Sequence, residues 1–190
     1  MTSEIILLAR AWRVAAERHV DQRRRGEKAE PYVNHLAEVA ELVAEATKGS
    51  DPELVAAAVL HDTVEDTGLT QAELTEQFGA DIAGLVAEVT DDQTLPKDER
   101  KRRQIEHASH MSPRAKLLKL ADKTSNLRSI ANSPPADWAL ERKQRYLQWA
   151  RDVVAGLRGV NVWLEARFDE AATKLEQLLE EQSEQEGNTV

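Results

Sequence analysis

Residues 51–70 read DPELVAAAVLHDTVEDTGLT, and this stretch decides the class of the fold. Asp51-Pro52 has the form of a helix N-cap followed by proline at the first helical position, where the missing N–H costs nothing. The residues after it are almost all Ala, Val and Leu, with no polar face, which describes a helix buried on every side. The spacing predicts one helix from Pro52 to about Asp66, closed by Gly68.

Working outward, the same signals recur. Ile6, Leu7, Ala11, Val14 and Ala15 fall at helical spacing within residues 3–20, and Val33, Leu36, Val39, Ala40 and Val43 do so between Pro31 and Gly49. Thr70 caps a short helix to Phe78, Gly79 breaks it, and Asp81 to Thr90 forms another. Pro96 opens a charged helix to about His107, and Ser112-Pro113 opens an apolar one from Ala115 to Ile130. After Pro134-Pro135 a long helix runs from about Asp137 to Leu157, and Gly159 separates it from a last one, Val162 to about Glu181. No run alternates at period two. The fold class is therefore all-α: a single-domain bundle of about eight to ten helices over residues 1–182, with 183–190 expected as a frayed polar tail.

Composition narrows the function. The 190 residues carry a net charge of −9, which disfavours a general binder of nucleic acid or anionic membrane. There is no cysteine, so neither disulfides nor thiolate metal sites are available, and a reducing cytoplasmic setting is expected. MTSEIILLARAW reads as the start of an amphipathic helix rather than a signal peptide. Two basic spots, Arg23 to Arg25 and Lys97 to Arg103, suit a compact anionic ligand, although such runs are commonly solvated faces.

Chemistry concentrates at His61-Asp62. Glu65 and Asp66 follow each of them by four residues, so a continuous helix would crowd three carboxylates into its last turn. Like charges there oppose one another, at about 0.2–0.5 kcal/mol per pair, and the helix dipole, at about 0.3–1 kcal/mol per acid. A bound cation reverses that sign. His35 lies on an otherwise apolar helix, and Asp122 lies within the apolar AKLLKLADKTSNL, where a buried carboxylate needs a partner; Asn126 is one turn on. Two imidazoles and two carboxylates form a mixed N/O donor set that suits manganese, iron, zinc or magnesium.

The series His35, His61-Asp62, Asp122 resembles the four-ligand pattern of the HD superfamily of metal-dependent phosphohydrolases. EPYVNHLAEVA at 30–40, AAAVLHDTVEDTGLT at 56–70, FGADIAGLVAEVTDD at 78–92 and AKLLKLADKTSNLR at 115–128 together resemble the hydrolase domain of the RelA/SpoT family, in particular its small stand-alone members. HDTVED is the most specific piece.

The resemblance implies hydrolysis of guanosine 3′,5′-bis(diphosphate), ppGpp, to GDP and pyrophosphate, usually with Mn²⁺ held by His35, His61, Asp62 and Asp122. Glu65 and Asp66 are then expected, jointly, to orient or deprotonate the attacking water. Arg24, Arg25, Tyr32, Lys97, Asn126, Arg142 and Tyr146 are the expected substrate contacts. Arg25 stands where similar proteins often carry lysine, a change that keeps charge but not hydrogen-bonding geometry. A 2′-phosphate such as that of NADPH is the alternative substrate, and a catalytically dead scaffold is disfavoured because every acid of HDTVED is present. Trp138, Trp149 and Trp163 read as core, and His19, His107 and His110 match no ligand position.

Overall fold

The computed structural model describes residues 2–187, and Met1 and 188–190 lie outside the described residues. Nine α-helices make up the described chain: α1 (Thr2–Arg18), α2 (Val33–Thr47), α3 (Pro52–Leu60), α4 (Thr63–Thr67), α5 (Gln71–Val89), α6 (Lys97–Ala108), α7 (Pro113–Asn132), α8 (Leu140–Ala155) and α9 (Val162–Gly187). No strand occurs among the described residues; Arg23 and Pro31 form one isolated antiparallel bridge.

Two helices form the axis of the bundle. α3 packs against α1, α2 and α5, and its residues from Ala56 to Leu60 have no solvent exposure. α7 packs against α9, α2, α5 and α8. Unlike α3, α7 buries polar groups with its leucines: Lys119, Asp122, Lys123, Thr124 and Ser125 are all inside. A helix that buries charge needs partners for it, so α7 is the element on which a site is expected.

The caps hold as read. Asp51 accepts from the Leu54 amide, Thr70 and Glu73 form a reciprocal capping box, and Ser112 accepts from the Ala115 amide. Gly79, at φ 85°, breaks α5 where the break was expected. The helix begun at Pro52, however, does not run on to Asp66. It stops at Leu60, and a separate five-residue α4 follows, ended by Gly68 at φ 73°. The cause is local competition for carbonyls: His61 Nδ1 bonds Ala58 O at 2.8 Å and Thr63 Oγ1 bonds Leu60 O at 2.6 Å. Asp62 sits at φ −96°, ψ −2°, between the two helices. Glu65 and Asp66 therefore occupy the first turn of α4, and the dipole penalty argued for a continuous helix does not apply. α9 also exceeds its expected end, continuing as exposed helix through Gly187.

Candidate active site

His35 comes from α2, His61 and Asp62 from the break between α3 and α4, and Asp122 from α7. His35 Nε2 lies 3.5 Å from Asp62 Oδ2 and 3.3 Å from Asp122 Oδ1. His61 Nε2 lies 3.1 Å and 3.9 Å from the same two oxygens. His35, His61 and Asp62 alone place one donor atom each within 4.8 Å of the others, a spacing that can hold a metal ion.

The tautomers follow from the partners. Ala58 O only accepts, so His61 Nδ1 carries a proton and Nε2 is the nitrogen turned to the carboxylates. Ser125 Oγ gives its hydrogen to Glu38 Oε2 at 2.6 Å and so accepts from His35 Nδ1–H at 2.9 Å. Arg128 holds the other Glu38 oxygen at 3.0 Å. Both imidazoles thus turn Nε2 to one point, an arrangement of outer hydrogen bonds that fixes metal-binding histidines. His61 Nε2 is buried and makes no hydrogen bond among the described residues, as fits an atom whose partner is an ion.

The carboxylates are equally constrained. Tyr32 donates to Asp62 Oδ2 at 2.6 Å, Asn126 donates to Asp122 Oδ1 at 2.6 Å, and Lys123 Nζ lies 3.2 Å from Asp122 Oδ2. Burial opposes the charge on Asp62 and Asp122. The two imidazoles at Asp62, and Lys123 with the imidazoles at Asp122, outweigh it and hold both carboxyls well below the usual range.

Glu65 and Asp66 diverge. Glu65 accepts from the Asp91 amide at 3.1 Å and from Gln93 Nε2 at 2.6 Å, in the loop after α5. Arg100 of α6 grips Gln93 in turn. Asp66 instead accepts from Gln22 Nε2 at 2.8 Å and faces the cleft. Burial pushes both carboxyls up; the Asp62 charge adds to this at Asp66, and at Glu65 burial, with the Asp91 and Asp62 charges, works against the lowering by the Asp91 amide. Carboxylates raised in this way are suited to exchange protons nearer neutrality.

Beside the four donors lie two adjoining cavities of about 320 and 240 Å³ that share Arg25, Trp138 and Tyr146. Arg24, Tyr32 and Asn126 line the first, and Lys97 and Arg142 line the second. All seven expected substrate contacts are therefore brought to one basic, aromatic cleft. Arg24 donates to Asn126 Oδ1 at 3.0 Å, which links the cleft to Asp122. Tyr32 differs from expectation in one respect: its hydroxyl is committed to Asp62, and its ring stacks on His19 at 5.1 Å.

Several residues were missed or misread in the sequence. Trp138 packs against the core but also walls both cavities, with the Arg142 guanidinium 4.3 Å above its ring. Trp149 is half-buried and bonds Lys101 O at 3.1 Å, and Trp163 is 40% exposed. Lys101 also lines the cleft, and its four-residue spacing from Lys97 was the available signal. Gln22, Gln93, Ser125 and Glu38 act through other side chains, and nothing in their local sequence marks them.

Residues 11–159 match the model of the HD domain, and the chain belongs to that family. Within it, the chain is 48% identical over 169 residues to guanosine-3′,5′-bis(diphosphate) 3′-pyrophosphohydrolase MESH1 of Xenopus tropicalis, covering 89% of this chain and 94% of the relative. Against MESH1 of Homo sapiens it is 48% identical over 165 residues, with coverages of 87% and 92%. A solved structure described as "A metazoan ortholog of SpoT hydrolyzes ppGpp and plays a role in starvation responses" superposes with a TM-score of 0.84 at 44% identity, covering 87% of this chain and 93% of the other. No described helix is long and apolar enough to cross a membrane.

Proposed function

We propose that this chain is a Mn²⁺-dependent hydrolase that converts ppGpp to GDP and pyrophosphate. The observation that carries the reading is the junction of four convergent donors, His35, His61, Asp62 and Asp122, with one cleft lined by Arg24, Arg25, Lys97 and Arg142. The names of the relatives, nearly full-length matches, supply the substrate.

The donor set is two imidazoles and two carboxylates, which suits a divalent cation of the manganese type. Such an ion, when bound, polarises a phosphate oxygen and acidifies a water. The remaining work falls to the chain. Arg24 and Arg25 hold one end of the nucleotide, and Lys97, Arg142 and Tyr146 hold the other. Trp138 and Tyr146 offer aromatic faces to the base or ribose. Glu65 and Asp66 orient the water and take its proton as its oxygen bonds to phosphorus. The bond from phosphorus to the ribose 3′ oxygen breaks, pyrophosphate leaves, and the 3′ oxygen gains a proton.

The experiment is incubation of the purified protein with ppGpp, with and without Mn²⁺, and identification of products beside an equal amount of NADPH. Release of GDP and pyrophosphate only with the ion is expected. Intact ppGpp with phosphate lost from NADPH would replace the substrate and leave the site standing.

A further inference from the structure

We infer that His19, a residue outside the metal and substrate contacts, is a positioning residue that holds Asp66 in place through Gln22. The inference rests on the reading of Asp66 as a proton-handling group.

The geometry leaves one way to arrange the hydrogens. An ionised carboxylate only accepts, so Gln22 must present its amide NH₂ to Asp66 Oδ2, which it meets at 2.8 Å. Gln22 Oε1 then faces His19 Nδ1 at 2.5 Å, and Nδ1 must carry the proton. His19 is 2% exposed and follows directly on α1, its amide bonded to Ala15 O at 3.0 Å. The relay His19–Gln22–Asp66 therefore runs from a rigid helix end to the cleft. Gln22 itself lies in the loop between α1 and α2, and among the described residues its side chain makes no hydrogen bond besides these two that would keep its amide from flipping or leaving.

The other face of the imidazole stabilises the same region. His19 stacks on Tyr32 with ring planes 19° apart, and Tyr32 donates to Asp62. Leucine would fill this buried position without burying ring nitrogens, yet His19 Nε2 makes no hydrogen bond among the described residues. The polar role of the side chain is the Gln22 contact. Asp66 and Glu65 are thus held by separate elements, one by the end of α1 and one by the loop that α6 grips.

The test compares wild type with His19→Leu, Gln22→Leu, the double variant and His19→Asn, all loaded with Mn²⁺ to the same measured stoichiometry. His19→Leu and Gln22→Leu are each expected to lower kcat for ppGpp by about 10–100-fold with KM within about threefold, as befits a disturbed proton-transfer group. The double variant should lose no more than either single one. His19→Asn, whose amide N–H stands in for Nδ1–H, should recover most of the loss. A crystal structure of His19→Leu should find the Gln22 amide turned away from Asp66. Equal losses in His19→Asn and His19→Leu, or Gln22 still on Asp66 in His19→Leu, would overturn the proposal. If wild type leaves ppGpp intact, the substrate reading fails alone, and the Gln22–Asp66 contact in His19→Leu still decides the positioning.

Discussion

Tyr32 donates its phenolic hydrogen to Asp62 Oδ2 at 2.6 Å, the same oxygen that lies 3.1 Å from His61 Nε2. Burial and the neighbouring Asp62 charge drive the phenol pKa upward, so Tyr32 stays a donor at every working pH. Outer-layer bonds of this kind orient the ligand they touch.

Tyr32→Phe keeps the ring against His19 and deletes only that bond. Mn²⁺ affinity is expected to fall by about 10–100-fold, read by calorimetric titration of chelator-treated protein. Unchanged affinity would show that Asp62 is placed by its backbone alone.

His61 carries a proton in the metal-free protein. Burial opposes the charge, but Asp62 and Asp122 outweigh it and push the imidazole up to about 10. A folded value above the ordinary one of about 6.5 means that the pair stabilises the fold fully below that pH. The contribution is lost as pH rises through about 10. Thermal unfolding of chelator-treated protein should show Tm falling across this window relative to His61→Gln. Mn²⁺ loading near neutral pH should release a proton, visible as buffer-dependent heat. Parallel Tm profiles for the two proteins would count against the assignment.

Glu65→Gln and Asp66→Asn are each expected to lower kcat by about 10²–10⁴-fold while retaining metal. Both carboxyls are raised, so activity in the wild type should fall on the acid side at a pH above the ordinary carboxylate range. The two variants differ in what they disturb: Gln93 and the Asp91 amide lose a charged partner in the first, Gln22 in the second. Metal analysis beside kcat separates loss of chemistry from loss of the ion.

Gly26→Ala should harm substrate binding more than metal binding. A Cβ at Gly26 would clash with Ser133 O and Ser133 Oγ, so the loop bearing Arg24 and Arg25 must shift. Stability should drop by about 1–3 kcal/mol, the usual effect of overpacking. KM for ppGpp should rise while bound Mn²⁺ stays stoichiometric. An unaltered KM would mean that the loop relaxes without moving its arginines.

The helices were legible wherever a cap fixed them. Asp51-Pro52, Thr70 and Ser112-Pro113 announce starts that the structure keeps, because a cap is a contact between residues three apart. The four donors stood out because two histidines and two acids lie in apolar surroundings, where polarity needs a reason. The break at His61-Asp62 was not legible: it contains no glycine or proline and arises from side chains that take over carbonyls. Trp138 read as core because an indole carries no sign of whether its wall faces protein or cleft. His19 matched no ligand position and Gln22 carried no signal, because their meaning lies in Asp66, more than forty residues on.

Side chains of consecutive residues on an unbroken helix leave it about 100° apart, which turns short side chains away from a common point. The interruption after Leu60 lets two neighbours, His61 and Asp62, bring ligating atoms within 3.1 Å. An ion held by both, and by α2 and α7, then acts as a rivet across a seam in the backbone. Amide hydrogen exchange in α4 should therefore slow as Mn²⁺ is added, while α3, packed on every side, hardly responds. Occupancy of the metal and opening of that seam become two measures of one equilibrium.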